Sequence, residues 1–240
     1  MTEKIWLGDI EIVVTRKTVK HVRLSVHPPR GRVTLVVPIG TRLELARAFA
    51  VSKLGWIRMQ QAKLRAQPRE MPRCLVTRES HDIWGKRYLL FVIERQQKAS
   101  VTMDHRCITL TVRPGCDQKK REAVMHAWHK SLLHEVIPPL IQKWTPRLQV
   151  TVAAYFLQRM KTRWGSCNYR VGNIRLNTEL VKKPKNLLEY VIVHEMLHLL
   201  EPTHNHRFVA LQDTHYPTWR EAHAELNALP LAACVDSLEN

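Results

Sequence analysis

Three residues of one short segment are spaced as they are in metal-dependent hydrolases. His194, Glu195 and His198 form the sequence H-E-x-x-H. Residues four apart lie on the same face of an α-helix, so both imidazoles can point at one ion. Glu195 then lies one position around the helix, where it reaches a water on the metal without being a ligand. The spacing therefore predicts a zinc site with Glu195 as general base.

The segment around this motif is predicted to be a buried helix over residues 186–200. Its apolar residues are Leu187, Leu188, Val191, Ile192, Leu197, Leu199 and Leu200. A helix that is apolar on nearly all faces is normally buried. Imidazoles and a carboxylate in such a helix are costly to desolvate without a partner, and a cation is one such partner. The alternative interpretation is a pair of hydrogen-bonded core histidines.

A third metal ligand requires the chain to turn back after this helix. Pro202 cannot continue the helix, so His204 is free to fold back onto the metal. The spacing matches the longer pattern H-E-x-x-H-x-x-G-x-x-H, except that Glu201 replaces its glycine. The rival third ligands are His206, Glu221 and Glu225. We expect Zn²⁺ at this site, with another divalent transition metal as the alternative.

Four runs of sequence resemble one known family. They are R-W-G-S-C at 163–167, G-N-I-R-L-N at 172–177, Y-V-I-V-H-E at 190–195, and T-H-N followed by R-F within 203–208. Together they resemble the bacterial YgjP-like family of zinc metallopeptidase-type hydrolases. The resemblance extends more loosely over the amino-terminal strands and Trp56.

This resemblance implies a fold, a site and a choice of substrates. The implied fold is α+β: a zincin-like catalytic domain with the H-E-x-x-H helix and an antiparallel edge strand, preceded by a β-rich amino-terminal portion. The implied zinc ligands are His194, His198 and His204, with Glu195 as catalytic base. The family is named for peptidases, but it also implies a nucleoside triphosphate (UTP) pyrophosphatase as an alternative activity.

The pattern along the chain predicts three parts. Residues 1–115 are expected to be β-rich with one amphipathic helix, residues 116–230 to form the zincin-like hydrolase domain, and residues 231–240 to be an acidic tail. Asp117 is predicted to cap a long helix from Lys119 to about Val136, which Pro138 and Pro139 are expected to bend or end. Strands over 151–159 and 172–177 should flank a turn at Gly165, and one of them should be the edge strand beside the metal helix.

Substrate contacts are predicted from side chains near the motif. The candidate donors to a developing oxyanion are Tyr190, Tyr216 and Arg163. For a nucleotide substrate, phosphate would be neutralised by Lys161, Arg163, Arg175, Lys182 or Lys183. An edge strand favours a peptide substrate, because an extended chain can add to it by main-chain hydrogen bonds. The sequence H-E at 134–135 is a decoy, because Pro138 stands where the second ligand would be.

Composition limits the partners and the compartment. The net charge is +17, and residues 1–200 carry 36 Lys plus Arg against 15 acidic residues. Such a field favours polyanions, so a third interpretation is a basic nucleic-acid-associated module with a structural metal. The five cysteines include no C-x-x-C pair, and we find neither a membrane-length apolar run nor a signal peptide. A cytoplasmic protein without membrane contact is expected.

Overall fold

The computed structural model describes residues 2–27, 31–66, 73–160 and 163–229, which divide into two compact units. Residues 2–66 belong to the first unit and residues 73–229 to the second. The boundary between the two units lies near residue 70 and not at residue 115, where the sequence pattern predicts it. The strands between 80 and 112 therefore belong with the helices that follow them. The tail at 231–240 lies outside the described residues.

The first unit is a four-stranded sheet followed by two helices. Its elements are β1 (Thr2–Leu7), β2 (Ile10–Lys17), β3 (Arg23–His27), β4 (Arg32–Pro38), α1 (Leu43–Ser52) and α2 (Leu54–Ala66). One helix was expected, but the chain turns out of the helical conformation at Lys53. Alternate residues of the strands are buried on one face, and this core includes Ala46, Ala50 and Ile57 of the helices.

The second unit contains two sheets and four α-helices among its described residues. Its first sheet comprises β5 (Ser80–Ile83), β6 (Lys86–Glu94), β7 (Ser100–Met103) and β8 (Cys107–Val112). The following elements are α3 (Gln118–Leu148), β9 (Ala154–Gln158), β10 (Gly165–Asn168), β11 (Asn173–Asn177), a 3₁₀ helix (Thr178–Lys182), α4 (Lys185–Leu197), α5 (His206–His215) and α6 (Trp219–Ala228). This mixture of helices and mixed sheets confirms the α+β class.

Helix α3 is longer than the sequence predicts. Asp117 caps its start as expected, since its carboxylate accepts a hydrogen bond from Lys120 N at 2.8 Å. The helix does not end at Pro138 and Pro139 but continues to Leu148. Each interior proline costs about 3 kcal/mol. The buried residues on both sides of the prolines each contribute about 1.5–3 kcal/mol, so packing outweighs the loss; they are Met125, Leu133, Ile137, Trp144 and Leu148.

The strand beside α4 is formed by a segment that was expected to be a turn. The strand order of this sheet is β10-β11-β9, with β10 antiparallel to β11 and β9 parallel to it. Strand β10 is therefore an edge strand, and it begins at Gly165 itself. Strands β9 and β11, which the sequence did predict, pair with each other. The chain thus has an antiparallel edge strand, but in a different segment.

The hairpin between β5 and β6 contacts the start of α4. Trp84 N donates to Val181 O at 2.8 Å and Gly85 N donates to Lys182 O at 3.2 Å. A Cβ on Gly85 would lie 2.8 Å from Pro184 Cγ, and Pro184 immediately precedes α4. The hairpin therefore lies against the residue that precedes the helix with the H-E-x-x-H sequence. Of the helices described, none is long and apolar enough to span a membrane.

Candidate metal centre

Three histidine side chains converge at the end of α4. Candidate ligand nitrogens of His194, His198 and His204 all lie within 4.8 Å of one another. The Nε2 atoms of His194 and His204 are 3.0 Å apart. Tetrahedral zinc with Zn–N bonds of about 2.0–2.1 Å would hold its nitrogens about 3.4 Å apart. Small side-chain rotations would therefore bring the three nitrogens onto one ion.

The chain turns back after α4 as the third ligand requires. The regular helix ends at Leu197, and Glu201 N still donates to Leu197 O at 3.0 Å before Pro202. Asn205 then caps α5, because its side chain accepts from Phe208 N at 3.1 Å. These two turns carry His204 back to His194. The rivals His206, Glu221 and Glu225 do not join the only such cluster among the described residues.

The opposite ring nitrogens of two histidines have their own partners. His198 Nδ1 lies 3.0 Å from Glu201 O, to which a protonated Nδ1 donates. The Gln212 side-chain amide lies 3.2 Å from His194 Nδ1, and Gln212 is buried. An amide can present either its oxygen or its nitrogen to this position. With the oxygen there, His194 Nδ1 donates and Nε2 keeps a lone pair for a metal.

An aromatic side chain packs against all three imidazoles. Phe208 is buried, and its ring stacks on His198 with centroids 4.5 Å apart. Its ring also meets His194 and His204 at steep angles, with centroids 5.0 and 4.8 Å away. The ring restricts how the imidazoles rotate, so the nitrogens stay close to one another.

Burial favours the neutral form of His194 and His198. Burial, together with the neighbouring His198, His204 and His223, lowers the pKa of His194 to about 3. Burial also lowers the pKa of His198. Neutral imidazole is the form that binds a metal. Three imidazole nitrogens suit zinc and related transition metals better than magnesium.

Glu195 lies beside the histidines as a buried carboxyl group. Burial raises its pKa to about 8, against the opposing effect of the Arg163 charge. Its Oε2 atom is buried and has no hydrogen-bond partner within the described ranges. A buried polar atom without a partner is uncommon in folded proteins and is often found at functional sites. These observations on the donors and the carboxyl group fit a bound divalent metal.

The site opens into a cleft of about 640 Å³ within the second unit. Strand β10 forms one wall through Gly165, Ser166 and Cys167, and α6 contributes His223 and Asn227. Burial raises the pKa of the Cys167 thiol to about 11, so this cysteine is a weak nucleophile. The cleft thus places an edge strand and the three histidines in one cavity.

Only some of the residues predicted to contact the substrate lie in the cleft. Arg163 and Tyr190 line the cleft. Arg175 is exposed outside the cleft lining, and its guanidinium lies 5.8 Å from the centre of the Phe156 ring. Tyr190 is buried, and burial raises its pKa to about 12, although a hydrogen bond with Gln212 opposes this shift. Tyr216 donates to Asn186 O at 3.3 Å.

The two described lysines proposed for phosphate binding, Lys182 and Lys183, do not line the cleft. Lys182 Nζ lies 2.6 Å from Glu179 Oε2, and Lys183 is buried against the Trp164 ring. Lys161 lies outside the described residues. His134 of the decoy sequence lies 2.8 Å from Tyr155 Oη, in agreement with a structural role.

Sequence reasoning missed the two supporting residues Phe208 and Gln212 as parts of the site. They are four apart on α5 and therefore lie on one helix face. The sequence does indicate a helix here, because Asn205 is a good helix cap and the apolar Phe208 and Leu211 follow it. The sequence gives no indication that this face of α5 packs against His194 and His198.

The sequence of this chain is similar to that of one known protein family. The sequence model of the YgjP-like metallopeptidase domain matches residues 20–229. The solved zymogen of the metallopeptidase jannalysin from Methanocaldococcus jannaschii is 21% identical over 38% of this chain and 92% of its own, with a TM-score of 0.33. No curated protein matches this chain significantly. Because the family match spans most of the sequence, the chain belongs to the YgjP-like metallopeptidase family.

Proposed function

We propose that this protein is a zinc-dependent peptidase in which Glu195 is the general base. The observation that carries the proposal is one cleft holding three convergent histidines, a buried carboxyl group and an edge strand. His194, His198 and His204 are the proposed zinc ligands. Three protein ligands leave one position open, as in catalytic zinc sites, whereas structural sites usually have four.

The proposed peptide-binding element is β10. Its free edge can pair with an extended substrate through main-chain hydrogen bonds, so binding would not require one particular side chain. A zinc ion at the three nitrogens would polarise the scissile carbonyl and lower the pKa of water towards about 7. Glu195 then accepts the proton of the attacking water and passes it to the leaving amine.

The two polar residues of the cleft wall receive different proposed roles. Arg163 is exposed and lines the cleft, so we propose that it contacts the substrate. Tyr190 is buried and its hydroxyl group forms a hydrogen bond with Gln212, which in turn contacts His194. Its proposed role is therefore to hold Gln212 in place.

The nucleotide and nucleic-acid alternatives have less support. Only Arg163 of the two predicted phosphate-binding arginines lines the cleft. Nucleoside triphosphate chemistry usually uses the hard ion Mg²⁺ with oxygen ligands, whereas the ligand atoms here are imidazole nitrogens. A purely structural metal would leave the buried Glu195 carboxyl group in the cleft without a role.

The test is hydrolysis by the zinc-loaded protein of unstructured peptides and, in parallel, of UTP. We expect peptide cleavage that falls by about 10²- to 10⁴-fold in Glu195→Gln, with zinc content unchanged. Glu135→Gln is the matched control, because it makes the same change in the exposed decoy sequence, and it should keep full activity. Glu195-dependent pyrophosphate release without peptide cleavage would replace the peptidase by the nucleotide hydrolase.

A further inference from the structure

Gly165 is the point of closest approach between β10 and Glu195. A Cβ built on Gly165 would lie 2.7 Å from Glu195 Cγ and 2.8 Å from Cδ, and it would also overlap Oε1. Real Cβ atoms essentially never come closer than 3.0 Å to such neighbours. Gly165 is not among the residues with positive φ. Glycine is therefore required here for space and not for backbone conformation.

The Glu195 side chain has little room to avoid a methyl group at this position. Glu195 is only 5% exposed, and its neighbours Met196 and Leu197 on α4 are fully buried. Residues 165 and 167 share one face of β10, and the charge of Glu195 also acts on Cys167 from that side. The carboxyl group is thus held between a strand and a helix.

We propose that Gly165 is a positioning residue, whose missing side chain lets the Glu195 carboxyl group lie against the backbone of β10 beside the three histidines. The inference rests on the proposed function, in which Glu195 is the base. It gives a reason for the glycine of the R-W-G-S-C sequence, to which the metal site itself assigns no role. A substrate chain on β10 would then lie directly next to the base.

A side chain at position 165 should therefore move the base without removing a ligand. Displacement of a catalytic group by about 1 Å can cost about 10²-fold in rate. For Gly165→Ala we expect kcat to fall by about 10²-fold, with KM within a few-fold of wild type and zinc content unchanged. A defect in overall folding would lower zinc content too, so the split between kcat and zinc content separates the two.

The contact itself is tested by thermal unfolding of four proteins: wild type, Gly165→Ala, Glu195→Ala and the double variant. Glu195→Ala removes every side-chain atom that the new methyl group would meet. We expect Gly165→Ala to lower Tm by several degrees in the wild-type background and by less than half as much in the Glu195→Ala background. Additive Tm changes would overturn the proposal, as would an unchanged kcat.

Gly55→Ala in α2 is the matched control, because a Cβ there meets nothing within 4 Å. It should keep wild-type kcat and an equal or higher Tm, since alanine favours a helix over glycine by up to about 1 kcal/mol. If Gly165→Ala alone does not fold, a folded double variant would support the proposed clash with Glu195. A double variant that also fails to fold would overturn the proposal. The comparison of the four Tm values needs no substrate, so it tests the Gly165 contact even if the proposed function is wrong. Turnover by Glu195→Gln would contradict the proposed function and would leave the contact untouched.

Discussion

Two sheets of this chain share one topology but support different structures. The strand orders are β1-β2-β4-β3 in the first unit and β5-β6-β8-β7 in the second. In both, the first two strands are antiparallel, the middle pair is parallel, and the last pair is antiparallel. Both open with a tight hairpin at a glycine of positive φ, Gly8 in one and Gly85 in the other.

The difference lies in what each sheet packs against. A Cβ on Gly8 would meet nothing within 4 Å, whereas one on Gly85 would collide with Pro184 at the start of α4. The first sheet shares a core with α1 and α2, whereas the second shares one core with α3 and α4. An identical strand arrangement therefore does not specify a function. In the second unit it packs in one core with α4, at whose end the candidate metal ligands converge.

The largest effect is expected from metal removal, which should destabilise the second unit and leave the stability of the first unit unchanged. Free zinc at about 1,000 times its Kd would stabilise the unit that binds it by about 4 kcal/mol. Chelation should therefore speed hydrogen exchange of the most protected α4 amides up to about 10³-fold and leave β2 and β4 unchanged. His198→Ala should abolish this response and His206→Ala should preserve it. Equal acceleration in both units would contradict the comparison.

The next largest effect is expected from alanine at the two hairpin glycines. Positive φ costs a non-glycine residue about 1–2 kcal/mol, so Gly8→Ala should destabilise the first unit by that amount. Gly85→Ala adds the collision with Pro184, and overpacking costs a further 1–3 kcal/mol, roughly. Chemical unfolding and a zinc titration would measure both variants. Only Gly85→Ala should weaken zinc binding, and equal losses would show that the Gly85 contact is dispensable.

A smaller effect on zinc affinity is expected from substitution of Gln212, a residue of α5 that contacts His194 of α4. Loss of such an outer partner of a metal ligand typically costs about 10- to 100-fold in affinity. Gln212→Met, with similar volume but no hydrogen bond to His194 Nδ1, should weaken zinc binding by this factor in a competition titration with a chelating dye. Gln212→Glu should largely retain affinity, because a carboxylate accepts the same hydrogen bond. Wild-type affinity in the methionine variant would assign Gln212 to packing alone.

The smallest effect is a pH dependence of the second unit. His81 is buried, and desolvation lowers its pKa below 6.5 despite a hydrogen bond to Glu79. The unfolded chain therefore binds a proton at this histidine before the folded chain does. Stability is fully present above pH 6.5 and falls as the pH drops towards the folded pKa, by at most about 1.4 kcal/mol per pH unit. His81→Gln should flatten the slope of Tm against pH between 7.5 and 5.5, and an unchanged slope would exclude His81 as its source.

Local sequence patterns predicted those features that depend on neighbouring residues. The cap at Asp117 and the α+β class are confirmed, because capping and strand alternation are properties of short segments. Membership in the YgjP-like family is confirmed as well, because motif residues are read directly from the sequence. The i, i+4 spacing of His194 and His198 likewise requires only that the segment be helical.

Other features depended on contacts between residues far apart in the sequence. Helix α3 continues through Pro138 and Pro139 because buried side chains on both sides stabilise it, and no short window shows that core.

Gly165 begins an edge strand, although locally it reads as a turn, because β11 supplies the hydrogen bonds. The sequence alone predicted His194, Glu195 and His198 on one helix, and in the structure His198 is the residue that caps the end of α4. The spacing also predicted His204 as the third ligand, and the fold brings His204 rather than His206, Glu221 or Glu225 to the cluster. Only tertiary packing decided that Gln212 and Gly165 lie beside these residues, because each reaches the site through a helix contact or strand pairing that local spacing does not encode.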